Sequence, residues 1–312
     1  MSLFCVLAAL VLDQLRPLPH PSPPERWFVG YADRLAHGLN AGQPSNGAIG
    51  WILAVVPWVA AAVIVHYVLK VALPTLGWVL AWAWDAIVLY ACIRLRHITQ
   101  DYTAVADALK AGELERAREL IARWRGEPAT DWSQTEIARA AIETAFLRAH
   151  RDLLALIAWF VVLPGPAGAV LYKLSAMLAD QWGRRADDEF GRFGAFAVHA
   201  FRILDWVPLR ITAIGFAIAG DFEDAVQCWR AQYRAWADPD VGVILSSGAG
   251  ALGVRLGGPL PKEGGVQYRP ELGLGDEPDA NYMQSAVGLI WRTLVIGMIA
   301  LLVITLASWV GG

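Results

Sequence analysis

The densest run of chemically capable residues is Ser246 to Pro259, which reads Ser-Ser-Gly-Ala-Gly-Ala-Leu-Gly-Val-Arg-Leu-Gly-Gly-Pro. Its glycines permit close backbone approach and positive φ. Successive backbone N–H groups beside Arg255 can hold a phosphate. The run is neither a Walker loop nor a strand-borne GxGxxG. The competing reading is a tight contact between helices built on small residues, and spacing alone favours it. Asp85 stands in the middle of an apolar stretch. An ionisable group there costs about 2.5–3.5 kcal/mol to insert into a bilayer and marks either function or a buried pair. Arg292 is its candidate partner, unless it snorkels to an interface. Asp205 and Arg210 flank Pro208, a spacing that reads first as a local ion pair at a helix start. His20, between Pro19 and Pro21, is a weak ligand or base. Most other arginines and acids read as solvated faces.

The elements that must position these groups are mainly apolar. Ala48–Leu69, Val71–Ile93 and Val287–Val310 are each long enough to cross about 30 Å of hydrocarbon, which takes about 20 apolar residues. Leu153–Leu174 is a fourth apolar stretch, broken by Pro164-Gly165-Pro166. Its freed backbone groups must be satisfied inside the protein. Val207–Gly220 is shorter and reads as a half-span or an interfacial helix. Met1–Leu12 lacks a basic leader and a small-residue cleavage site, so it reads as a re-entrant or interfacial anchor rather than a signal peptide. Tryptophans 51, 58, 78, 82 and 84 lie in or at the ends of the first two spans. They suit either headgroup belts or ordinary packing. Arg94, Arg96, Arg148 and Arg151 flank the loop between spans and place it on the cytoplasmic side.

Between the spans the pattern changes. Val105, Leu109, Leu114, Ala117, Leu120 and Ile121 recur at helical spacing. Gly112 divides them into a two-helix hairpin, and Ser133 with Glu136 forms a capping box for the next helix. Gln181–His199 reads as a polar helix and Asp221–Trp236 as an amphipathic one. Pro239–Asn281 reads as one long irregular region, of the kind that is usually functional or disordered. No strand pattern of any length and no internal repeat is visible.

Composition agrees. Of 312 residues, 56% are hydrophobic and 18% charged, against about 45–50% and 25% for soluble domains. Mean hydropathy is +0.41. A net charge of −3 without a basic patch argues against nucleic-acid binding. Three widely separated cysteines argue against a disulfide framework or zinc site. The expected fold is all-α, a polytopic integral membrane protein forming a single domain over residues 1–312. A transporter built on Asp85 and Arg292 is disfavoured by the few clear spans and the lack of an inverted repeat.

Taken in order, the N-terminal PLPHP, AIET, GPAGAVLYK, LDWVPLRITA and GAGALGVRLGGP resemble the CobD/CbiB family of cobalamin biosynthesis. That resemblance covers nearly the whole chain, and Ala249–Pro259 carries most of it. It implies a bacterial inner-membrane, multi-pass synthase that joins aminopropanol, or its phosphate, to a free carboxylate of adenosylcobyric acid as an amide. ATP and magnesium are the implied cofactors and the corrinoid the substrate. Glu143, Lys173 and Arg210 are the implied catalytic residues. Gly250, Gly253, Arg255, Gly257, Gly258 and Tyr172 are the implied cofactor-binding set, with metal ligands left open. Arg255 and Lys173 would contact phosphate, and Glu143 would serve as metal ligand or base. Several acidic and amide positions of the family pattern are replaced, among them by Leu147, Arg148 and Arg151, and by Ala176, Met177 and Ala179. Residues 203–210 also resemble AmpE, a non-catalytic membrane regulator linked to β-lactamase induction, which is the alternative reading. The expected partners are the lipid bilayer and a corrinoid small molecule, with a homo-oligomer left open.

Overall fold

The computed structural model describes residues 2–19, 21–40, 44–72, 76–183, 192–262 and 265–310. The chain forms two compact units, Met1–Arg94 with Ala155–Pro208, and Leu95–Leu154 with Leu209–Gly312. The first begins with helices α1 (Ser2–Leu15), α2 (Pro23–Leu39), α3 (Pro44–Ala72) and α4 (Gly77–Cys92). The second then takes α5 (Leu95–Lys110), α6 (Leu114–Arg125), α7 (Gln134–Ala149) and a π-helical turn (His150–Leu154). The chain returns to the first unit for α8 (Ala155–Val162), α9 (Ala167–Gly183) and the start of α10 (Phe193–Ala219). It ends in the second with α11 (Phe222–Gln232), a 3-10 turn (Tyr233–Ala235), α12 (Pro239–Leu252), four short strands and α13 (Ala280–Val310).

In the first unit, α3 packs against α4, α2 and α9. Phe28, Ala54, Val55, Leu178, Trp182 and Phe193 form its buried apolar centre. Pro164-Gly165-Pro166 divides α8 from α9, as the sequence predicts. Gly165 has φ +61°, and its turn lies over a polar pair inside the apolar layer: a Cβ there would sit 3.3 Å from His66 Nδ1. That pair corrects the expected partner of Asp85. Its Oδ1 is 2.8 Å from His66 Nδ1, whereas Arg292 Nε donates to the Gly288 carbonyl of its own helix at 3.2 Å.

In the second unit, α5 and α6 form the expected hairpin, with Gly112 at φ +76°. Their apolar faces, including Tyr102, Val105, Leu109, Ala117 and Ile121, join α7, α12 and α13 in one core. Ser133 caps α7 as read, accepting from Glu136 N–H at 3.3 Å while its own N–H donates to Glu136 at 2.7 Å. Tyr102 donates its hydroxyl proton to the Met283 carbonyl at 2.7 Å, tying α5 to α13.

Three expectations are corrected here. Pro239–Asn281 is not one irregular loop: α12 occupies its first part, with Asp238 accepting from Asp240 N–H at 3.0 Å and Pro239 starting the helix. Aspartate then proline is a helix-start signature. Strands are also present: β1 (Leu256–Gly257) pairs antiparallel with β4 (Glu271–Leu272), and β2 (Leu260–Lys262) with β3 (Gly265–Gln267). Pairs of two or three residues are too short to show alternation. Val207–Gly220 is not a separate short element but the latter part of the 27-residue α10. Of the polar stretch read as a helix, residues 184–191 lie outside the described residues, as does His20.

Ser45–Ala72, Gly77–Lys110 and Ala280–Ala307 are long and apolar enough to cross a membrane. Many of their apolar side chains face outward, among them Ile52, Val56, Val68, Val79, Ile87, Val295, Ile299 and Val303. Ile203, Val207, Ile211, Ile214 and Ile218 continue that pattern as an exposed stripe along α10.

Candidate functional site

The AIET segment lies in α7, where alanines at 138, 140, 141 and 145 let neighbouring elements approach on every side. Glu143 therefore ends up buried, 2% exposed. An ionised carboxylate there must be paired and hydrogen-bonded to be tolerated. Its Oε1 accepts the Gly257 N–H at 2.8 Å and its Oε2 accepts Arg269 Nη1 at 2.8 Å. Arg125 Nη1 stands 3.8 Å from the same Oε2.

The glycine turn is shaped for this clasp. Gly257 and Gly258 have φ +75° and +74°, the left-handed region that side chains disfavour. A Cβ on Gly257 would collide with the Pro270 carbonyl oxygen, and one on Gly258 would lie 2.9 Å from Arg139 Nη1. Arg269 closes the turn: its Nε donates to the Gly258 carbonyl at 3.1 Å and its Nη2 to the Gly257 carbonyl at 3.3 Å. Its guanidinium lies over the Trp236 ring, 5.4 Å from the centroid.

The guanidiniums of Arg125 and Arg269 approach the buried Glu143 carboxylate, and that of Arg139 stands at the Gly258 turn. Glu127 and Glu277 approach Arg125 and Arg139 only at 3.7 and 3.9 Å, from well-exposed positions. The Nε atoms of Arg125 and Arg139 are buried and have no acceptor among the described residues. Unused N–H donors facing inward are what an oxyanion needs. Arg125, Arg139 and Arg269 escaped the sequence reading, which took them as solvated. Arg269 is 126 residues from Glu143, and no local signal marks such a pairing.

The remaining predicted residues divide. Gly250 lies inside α12, where a Cβ would stand 2.5 Å from the Asp224 carbonyl oxygen. Its role is the close helix contact that spacing favoured. Gly253 ends α12 in the left-handed conformation, its N–H donating back to Gly250 and Ala249. Arg255 is exposed, and its backbone N–H donates to the Asp276 carbonyl at 2.8 Å. Arg210 is half-buried and lines a cleft of about 490 Å³ with Trp229, Arg230, Tyr233, Arg234 and Val243.

Tyr172 and Lys173 belong to the first unit. The Tyr172 hydroxyl donates to Asp205 Oδ1 at 2.6 Å. Lys173 Nζ is 3.7 Å from Glu25 Oε1, which also pairs with Arg94. Burial pushes the Glu25 carboxyl up, but Lys173, Arg94 and the Ser22 N–H outweigh it and hold the group below its ordinary value. Among the described residues, no three His, Cys, Asp or Glu side chains gather as a metal site.

A family model described as CobD/Cbib protein matches residues 5–290. The chain belongs to the CobD/CbiB family. A protein of Stutzerimonas stutzeri named Cobalamin biosynthesis protein CobD is 34% identical over 97% of this chain and 98% of its own length. Proteins of the same name from Chromobacterium violaceum (34% identical, 65% of each chain) and Rhodobacter capsulatus (29%, 89% of this chain and 90% of its own) are also similar. None of these names points to the AmpE-like regulator. No solved structure matches the chain significantly. The glycine motif and the AIET segment that carry the sequence resemblance are thus the two halves of the Glu143 clasp.

Proposed function

We propose that this CobD/CbiB family protein is a multi-pass enzyme of the bacterial inner membrane that forms an amide in corrinoid assembly. The substrates would be a corrinoid acid bearing a free carboxylate, such as adenosylcobyric acid, and aminopropanol or its phosphate. One observation carries the reading: Glu143 and the Gly257-Gly258 turn, 114 residues apart in the chain, meet at 2.8 Å beside buried arginine donors lacking acceptors. The names of the relatives support the pathway. The three long apolar helices and the exposed α10 stripe support the membrane location, because lipid accepts apolar surface that water does not.

The donor set fits the phosphates of ATP. Arg125 and Arg139 would hold them, each through a charge-assisted N–H that is otherwise unused. ATP, when bound, supplies the group that activates the acid for attack by the amine. Magnesium fits less directly. Both Glu143 oxygens are occupied by donors, and the described residues offer no carboxylate cage, so the metal would arrive held by phosphate and water. Glu143 itself acts by positioning. It orients Arg269 and fixes the Gly257 N–H, which shapes the turn and keeps the guanidiniums together despite their mutual repulsion. The replaced acidic positions of the family pattern leave this clasp intact.

The test is binding followed by turnover. Detergent-purified protein is titrated with adenosylcobyric acid, with and without magnesium-ATP, following corrinoid absorbance. Aminopropanol or its phosphate is then added and the product weighed by mass spectrometry. Micromolar binding and a mass gain matching amide formation are expected. A folded sample that neither binds the corrinoid nor yields the amide overturns the proposal.

A further inference from the structure

One face of α13 changes character along its length. Asn281, Gln284, Ser285, Gly288 and Arg292 lie on it at three- and four-residue spacing, and all but the half-buried Gly288 are exposed. Val295, Ile299, Leu302, Val303 and Leu306 continue the same line and are also exposed. At 100° per residue all ten fall within an arc of about 100°. A single exposed face is thus polar as far as Arg292 and apolar from Val295 onward. One solvent does not select both halves; water suits the first and hydrocarbon the second. The other side of the first half is core: Met283, Ala286, Leu289 and Ile290 are buried against the rest of the second unit. From Trp291 to the end of α13 at Val310 is about 30 Å at 1.5 Å per residue, the thickness of the hydrocarbon layer. Trp291 is exposed at the change, as tryptophan is at a headgroup level. Arg292 beside it can keep its guanidinium among headgroups while its stem lies on apolar surface.

The neighbouring helix changes at a matching level. A Cβ on Gly215 of α10 would stand 2.7 Å from Thr293 Cγ2, so the two helices touch there. They run antiparallel, because α10 ends and α13 begins beside the end of α12. Asp221 N–H donates to the Ala251 carbonyl at 3.0 Å, and Arg255 N–H to the Asp276 carbonyl at 2.8 Å. Ile211, Ile214 and Ile218 are exposed on α10, and no charged residue occurs from 211 to 219. Past Gly220 the exposed residues are Asp221, Phe222 and Glu223. The apolar part of α10 therefore lies beside the apolar part of α13, and the charged end beside the polar part. The Glu143 clasp is on the charged side, since its Gly257 follows the end of α12.

We propose that lipid hydrocarbon covers α13 from Val295 onward and α10 from Ile211 to Ile218. The lipid surface meets the second unit at Trp291–Arg292 and at Gly220–Asp221, which leaves the first three turns of α13 and the clasp in water. The crossing segment of α13 is then its latter two thirds and not the whole helix. This inference rests on the membrane location proposed above and is independent of the amide-forming reading.

The experiment uses full-length protein reconstituted in phosphatidylglycerol and phosphatidylcholine vesicles. Single cysteines are placed by Gln284→Cys, Ser285→Cys, Val295→Cys, Ile299→Cys, Val303→Cys, Ile214→Cys and Glu223→Cys, and each carries a nitroxide label. Every position is exposed; Asn281→Cys or Leu302→Cys replaces a variant that does not fold. The three native cysteines are buried, so unmodified protein is the labelling control. Val56→Cys, on the exposed apolar side of α3, reports the membrane location by itself. Collision with oxygen, which concentrates in hydrocarbon, is compared with collision with a water-soluble nickel chelate. Residues 284, 285 and 223 should favour nickel. Residues 214, 295, 299 and 303 should favour oxygen, several-fold more at 303 than at 295. Oxygen preference at 284 and 285 overturns the proposal, since the crossing would then begin with the helix. Nickel preference at 299 and 303 with oxygen preference at 56 overturns it and leaves the membrane location standing. Nickel preference at 56 as well overturns both. Weak collision with either reagent at 295 and 303, which a second copy packed on this face would cause, also overturns it.

Discussion

Replacing Glu143 by glutamine tests the clasp most directly. The glutamine side chain keeps the volume, and its carbonyl can still accept the Gly257 N–H, but the amide nitrogen can only oppose Arg269. The side chains of Glu143 and Arg269 are 3% and 8% exposed, so the orphaned guanidinium has little water to turn to. Breaking one partner of such a pair costs about 3–5 kcal/mol. In a unit of between 150 and 250 residues each kcal/mol moves the melting temperature by about 2–4 °C, so a fall of about 6–20 °C is expected. Arg269→Met should cost a similar amount, since it strands the carboxylate and removes donors from the Gly257 and Gly258 carbonyls. The double variant removes both charges, and its cost should fall short of the sum by at least about 1.5 kcal/mol, the worth of a hydrogen bond to a charged group. Thermal melts of the four proteins in one detergent give the cycle. Amide exchange at Gly257 should accelerate in both variants that lack the carboxylate. Single variants costing under about 1 kcal/mol, with a double variant additive within about 0.5 kcal/mol, would refute the clasp.

Gly250→Ala gains helix propensity of about 1 kcal/mol but forces a Cβ to 2.5 Å from the Asp224 oxygen and 2.8 Å from Ala225 Cα. Overpacking against backbone costs about 1–3 kcal/mol, so a net loss of stability should appear in denaturant titration; a stabilised variant would show that α11 and α12 separate freely. Ser133→Ala removes the α7 cap and should cost about 0.5–2 kcal/mol, measurable in the same titration, with no loss expected if the cap is idle. Glu25, held below its ordinary value near 4.5, contributes stability that is present above that value. It is lost as pH falls through the lowered one. Thermal melts between pH 3 and 6 should therefore fall more steeply for wild type than for Glu25→Gln, and parallel profiles would contradict the Lys173 and Arg94 pairing.

What the sequence revealed and what it hid follow one physical line. Local signals were legible: the helical spacing of Val105, Leu109 and Ile121, the turn at Gly112, the Ser133 and Glu136 capping box, the break at Pro164. Each depends on neighbours within a turn or two of chain. Arg139 and Arg269 were hidden because their partners Glu277 and Glu143 lie far along the sequence, and an arginine on an amphipathic pattern, such as Arg125, looks solvated until the fold covers it. Asp85 was recognisable as a buried charge, yet its partner His66 was passed over within the apolar run of the first span. The helix α12 was missed for a different reason. Its glycines lower intrinsic helicity, and only contact with α11 and Phe146 makes that composition an advantage.

The interleaving of the two units constrains the order in which the protein can be made. The ribosome completes α5, α6 and α7 well before α13, yet Tyr102 must wait 181 residues for its Met283 acceptor. The first unit likewise cannot close until its last residue, Pro208, has emerged. During synthesis the apolar faces of α5 and α7 are without their core, a state prone to aggregation unless something shields it. A nascent chain stalled before α12 should therefore be far more protease-sensitive than its length suggests, and neither unit can be obtained by cutting the gene once.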